Sequence, residues 1–104
     1  HPNFITHKIV TAQCMTVCSE IDKLSLKDKV VIIEGADPGF DWIFSQNIAG
    51  LITKYGGANS HMAIRCAEFG IPAAIGCGEQ RFDILLKSNK VHLDCAAGLI
   101  NPLH

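Results

Sequence analysis

The run from Gly50 to Ile75 constrains the fold more than any other part of the chain. Gly50-Leu51-Ile52-Thr53 reads as a short buried strand, with Ile48 and Lys54 as its outer limits. Gly56-Gly57 is a turn, Met62 to Phe69 a helix stopped by Gly70 and Pro72, and Ala73-Ala74-Ile75 a second short strand. On the helix, Met62, Ala63, Cys66, Ala67 and Phe69 form an apolar face expected to pack on a sheet. His61, Arg65 and Glu68 share the opposite, outward face. Two short buried strands with a one-sided helix between them require a layered sheet-and-helix domain.

The alternation continues in both directions. Residues 4–18 alternate loosely (Phe4, Ile5, Ile9, Val10, Ala12, Cys14, Val17) and predict one or two strands. Residues 19–29 are polar around Leu24 and Leu26, a connection or a single helical turn. Val30-Val31-Ile32-Ile33 is β-branched throughout, as in a strand buried on both faces. Asp37-Pro38 opens a helix running to about Gln46, with a capping acid, proline at the first helical position, and Trp42 and Ile43 turned to the core. Residues 80–87 predict a short helix through Phe82, Ile84, Leu85 and Leu86. Val91–Asp94 and Leu99–Asn101 close the chain as a hairpin about Ala97-Gly98. The expectation is one α/β domain over residues 1–104, a mixed sheet with about three helices.

Composition excludes several classes. At 104 residues and 48% apolar, the chain can bury a single core without staples. Its net charge of −1, with acids and bases interspersed and no basic stripe, argues against a nucleic-acid partner. The longest apolar stretches, Val30–Ile33 and Ile71–Ile75, are too short to span a bilayer, and no signal peptide is visible. Cys14, Cys18, Cys66, Cys77 and Cys95 form an odd, scattered set that fits free thiols in a reducing cytoplasm. A structural zinc built on Cys14-x-x-x-Cys18 with Cys66, Cys77, Cys95 or His92 would lack paired knuckle spacing, so no metal site is expected. The chain starts at His1 without a methionine, and a piece of a longer polypeptide is expected.

The chemistry concentrates at Gly56-Gly57-Ala58-Asn59-Ser60-His61. A glycine turn entering a helix offers unpaired amides and the positive helix end together, which makes an anion site. A histidine placed there points to an anion carried covalently, as a phosphohistidine, because a neutral imidazole nitrogen can attack phosphorus and later release the group. The helix end alone contributes only about 0.3–1 kcal/mol. The amides of Gly56 and Gly57, Thr53, Ser60 and Arg65 are therefore expected to add donors, Arg65 by leaning toward the helix start. Asn59 or Ser60 is the expected cap. The plainer possibilities are a solvent-exposed histidine at a helix start, a non-catalytic module that docks a phosphorylated ligand or partner, and a small zinc domain. His7, His92 and His104 receive no functional role.

The run Gly50 to Ile64, followed by Gly70-Ile71-Pro72-Ala73-Ala74-Ile75-Gly76, resembles the mobile phosphohistidine domain of phosphoenolpyruvate-utilising enzymes, such as phosphoenolpyruvate synthase and pyruvate phosphate dikinase. The likeness takes in Asp37-Pro38 and Trp42 upstream and the hairpin ending near Ile100, roughly residues 28–101. It implies a swivelling β/β/α domain within a multidomain phosphotransferase. A separate nucleotide-binding domain, holding ATP and Mg²⁺, would phosphorylate the histidine, and the domain would swing to an acceptor-binding domain. The resemblance implies no cofactor on this domain itself and no activity from it in isolation. His61 matches the phosphorylated histidine, Thr53 the threonine before the glycine pair, Gly56 and Gly57 that pair, and Ser60 the small hydroxyl residue before the histidine. Two positions depart from the pattern. Ala67 stands where arginine is common, with Arg65 on another helix face, and Asn59 stands where threonine is common. Both leave the carrier role intact while weakening pyruvate as the acceptor against other small molecules.

Overall fold

Buried apolar runs and one-sided helices settle into a single curled sheet carrying helices on both faces. The computed structural model describes residues 1–18 and 25–103, so Ser19 to Leu24 of the polar connection, and His104, lie outside the described residues. The strands are β1 (Asn3–Ile5), β2 (Ile9–Thr16), β3 (Val30–Ile33), β4 (Gly50–Thr53), β5 (Ala73–Ile75), β6 (Lys90–Asp94) and β7 (Leu99–Leu103). Their order is β1-β5-β4-β3-β2-β6-β7. The centre is parallel, with Val31 opposite Leu51 and Leu51 opposite Ala73. Both flanks are antiparallel, β1 on β5 and β6 between β2 and β7. The long β2 joins the two halves: Cys14–Thr16 run beside β3, and Ile9–Gln13 pair with β6.

Strands covered on both faces read as continuous apolar runs, and β3, β4 and β5 are buried at every position. Side-chain alternation then divides them between two cores. Val31, Ile33, Leu51, Ala73 and Ile75 meet Ile43 and residues Met62, Ala63 and Cys66 of the helix α1 (His61–Phe69). Val30, Ile32, Ile52 and Ala74 meet Phe82 and Leu85 of α2 (Glu79–Leu86) together with Val91 and Leu93. This is the expected mixed α/β architecture, with three helical segments counting the one below. Among the described residues, no helix is long and apolar enough to cross a membrane.

Two local expectations need correction. The helix opened by Asp37-Pro38 is a 3₁₀ helix, Pro38–Gln46. The Asp37 carboxylate caps it by accepting from the Gly39 amide at 2.8 Å, and Asn47, at φ 55°, ends it. A repeat of three puts Phe40 and Ile43 on the core side and stacks Asp41 above Phe44 on the next side. On α1, the buried face is Met62, Ala63 and Cys66; Ala67 and Phe69 lie outside the core. The Phe69 ring packs instead on Phe44, with centroids 5.3 Å apart. Trp42 is half-buried against the α1-side core, in keeping with the structural role expected of it.

Candidate functional site

The segment between β4 and α1 is pinned from beneath. Thr53 is fully buried; its hydroxyl donates to the Tyr55 carbonyl at 2.8 Å and accepts from the Gly76 amide at 2.9 Å. The Thr53 hydroxyl expected to donate toward a group on His61 is thus spent inside the fold. Thr53 holds the turn in place. Gly56 sits at φ 127°, where a Cβ would come within 2.6 Å of the Ala36 Cβ, and Gly76, at φ 78°, lies directly on the Gly56 carbonyl. The close approach of these two glycines lets the turn after β4 rest on the exit of β5. Gly57 is different: its φ is unexceptional and nothing would crowd a Cβ there.

Ser60 begins α1. Its amide and its hydroxyl both donate to the Gly57 carbonyl, at 3.1 and 2.7 Å. Its hydroxyl accepts from the Ala63 amide at 3.4 Å, and its carbonyl takes the Ile64 amide. Of the two capping candidates, Ser60 is therefore the cap, and Asn59 is exposed beside it. These bonds use the third and fourth amides of the helix start. The amides of His61 and Met62 are the ones left for an outside acceptor.

His61 is the first helical residue, and its side chain is 39% exposed. Its Nε2 lies 2.9 Å from Asp41 Oδ1, and the Arg65 Nε donates to the same oxygen at 3.0 Å. Arg65 thus shares an acceptor with His61, with Glu68 a more distant partner at 3.7 Å. Its guanidinium also lies over the Phe69 ring at 4.7 Å and the Phe44 ring at 5.7 Å. The hydrogen bond from His61, reinforced by Arg65, holds the Asp41 carboxyl below the usual range for an aspartate. An ionised carboxylate only accepts, so the hydrogen of this contact sits on Nε2.

The structure thus brings together Gly57, Asn59, Ser60, His61 and Arg65, and sets Thr53 and Gly56 behind them as support. Sequence reasoning missed Asp41 and the ring pair Phe44 and Phe69. The available signal was an acid between Phe40 and Trp42, three residues before another aromatic. Cys14, Cys66 and Cys95 are not rival nucleophiles. Burial pushes Cys66 up to about 12 and Cys14 and Cys95 to about 11, so they stay protonated near neutrality. Among the described residues, no three His, Cys, Asp or Glu side chains gather as a metal set.

Comparison with known proteins identifies a family and several relatives. The family model "PEP-utilising enzyme, mobile domain" matches residues 25–98. The phosphoenolpyruvate synthase of Neisseria meningitidis is 34% identical over 80 residues, 77% of this chain and 10% of that protein. The Pseudomonas aeruginosa enzyme is 36% identical, and that of Escherichia coli 32%, over the same shares. The chain therefore spans about a tenth of the length of these relatives.

Proposed function

The chain belongs to the mobile-domain family of phosphoenolpyruvate-utilising enzymes, and on that premise we propose that it is a phosphoryl carrier whose catalytic residue is His61. A lone pair of the imidazole attacks phosphorus, the bond from phosphorus to the donor's leaving group breaks, and a phosphoramidate forms on the ring. A second attack, by an acceptor, reverses the roles and frees the histidine. Phosphoryl transfer asks mainly for positioning and for donors around the dianion. The His61 and Met62 amides, the neighbouring backbone at Gly57, Ser60, Asn59 and Arg65 are the groups at hand. Thr53 and Gly56 hold that backbone in place.

One observation carries this reading: a half-exposed imidazole at the first position of a helix whose leading amides have no partner among the described residues. In this proposal ATP and Mg²⁺ act on a nucleotide-binding domain elsewhere in a multidomain cytoplasmic phosphotransferase. That arrangement supplies the activated phosphoryl group, and a small molecule, pyruvate or another, receives it on a further domain. The test is intact mass after incubating the chain with Mg²⁺, ATP and the nucleotide-binding domain of a phosphoenolpyruvate synthase. One acid-labile phosphoryl group should appear on the wild-type chain and be absent from His61→Ala. An adduct that survives His61→Ala removes the proposal.

A further inference from the structure

A second residue takes part in the resting state of the carrier, and it comes from a different element than the glycine turn and α1. Asp41 comes from the 3₁₀ helix, and one of its oxygens bridges His61 Nε2 at 2.9 Å and Arg65 Nε at 3.0 Å. Asp41 is not a freely swinging surface acid. The Arg65 that grips it is itself stacked on Phe44 and Phe69 and within reach of Glu68. Nε2 is also the ring nitrogen farther from the backbone, where a bulky dianion has more room than at Nδ1, next to Cγ. An oxygen joined at once to the outer imidazole nitrogen and to a guanidinium has the connections a phosphoryl oxygen would have there.

We propose that Asp41 is a positioning residue that latches the unphosphorylated His61 at Nε2, and that phosphorylation expels its carboxylate and transfers Arg65 to the incoming group. The proposal rests on His61 being the carrier. In the latched state the Nε2 hydrogen is donated to Asp41 and that nitrogen has no free lone pair. For reaction, this proton passes through solvent to Nδ1, and the Nε2 lone pair attacks phosphorus. The donor's bond to phosphorus then breaks, and its electron pair departs with the leaving group. A carboxylate cannot stay hydrogen-bonded where a dianion has just formed, because both are acceptors of like charge. Arg65, already within reach of that position, exchanges one anion for the other. At rest the latch keeps the outer nitrogen occupied and the ring in one orientation.

The test uses the 104-residue chain and phosphoramidate, a small donor whose P–N bond breaks with loss of ammonia. Long-range ¹H–¹⁵N spectra, taken above the titration of the ring, should show the wild-type His61 with its hydrogen on Nε2. Asp41→Asn and Asp41→Ala should lose that preference while keeping the amide spectrum of the fold. Both variants should acquire phosphohistidine about five-fold faster than wild type, the effect of removing one like charge close by in water. A wild-type ring carrying its hydrogen on Nδ1, or variants phosphorylated no faster than wild type, overturns the latch. The two readings fail differently: no adduct on any chain removes the carrier and the latch together, whereas an adduct on wild type with unaccelerated variants removes only the latch.

Discussion

Arg65 is held by several weak attractions: the carboxylates of Asp41 and Glu68 and the faces of Phe44 and Phe69. Half-exposed ion pairs and cation–π contacts contribute on the order of 1 kcal/mol or less each, so the fold does not depend on them. Arg65→Ala should therefore leave the chain folded, with only a small shift of the urea midpoint. Its larger effect should be on the phosphohistidine, whose lifetime should fall about five-fold when one nearby cation is lost. A lifetime equal to that of wild type would leave Arg65 a surface ion pair only. Asp41 gives a pH test with a definite sign. Its folded pKa lies below the ordinary carboxylate value because His61, then Arg65, stabilise the anion. The contribution is thus complete above the unfolded value near pH 4 and is lost as pH falls through the lower folded value. The difference in thermal midpoint between wild type and Asp41→Asn should hold steady at neutral pH and close in acid. A gap of undiminished size at the acid end would show that charge is not its source.

The helix α1 shows how far a sequence specifies an element. A cap at Asn59 or Ser60, Gly70 at φ 67° as stop, and an outward His61 and Arg65 follow from residue types and helical spacing, and the structure chooses Ser60. Ser60→Ala should cost about 0.5–1 kcal/mol, toward the low end for a cap because the bond to the Ala63 amide is long at 3.4 Å. Aspartate at the same place should recover much of that loss, measured by chemical denaturation. A Ser60→Ala chain as stable as wild type would mean that the helix start is held from Gly57 alone. The 3₁₀ helix was legible in its bounds, Asp37-Pro38 to Gln46, and in Ile43 as a core residue, but not in its period. Asp37-Pro38 announces a helix but leaves its period open, and the period decides which side chains face α1. With a repeat of three, Asp41 and Phe44 stack to meet His61, Arg65 and Phe69, which are four apart on α1. For the same reason Phe69, apolar by type, left the core for a ring partner that no local pattern revealed. Asp41 stayed hidden because the contact joins residues twenty apart through two helices of unlike repeat.

Across the whole molecule, the site is held by the sheet beneath it. Thr53 and Gly56 at the end of β4 meet Gly76 at the end of β5, and β5 is in turn backed by β1 from the start of the chain. Sequence alone presents Gly56 and Gly57 as a matched pair; the packing separates them. Gly76→Ala would force a side chain into the Gly56 carbonyl at a backbone angle that disfavours it, and should cost roughly 2 kcal/mol or more, seen as a lower urea midpoint. Gly57 has no such constraint, since its φ is ordinary and a Cβ would meet nothing. Gly57→Ala should leave stability unchanged or raise it by about 0.4–1 kcal/mol by restricting the unfolded chain. If the phosphoryl group must approach the backbone ahead of α1, the same methyl should slow phosphorylation of His61. The pair of substitutions thus separates support from contact. Gly76→Ala should lose stability and transfer together, and Gly57→Ala should lose transfer alone. A Gly57→Ala chain that accepts phosphate at the wild-type rate would mean that the group never comes close to that residue, and that the His61 and Met62 amides with Arg65 hold it unaided.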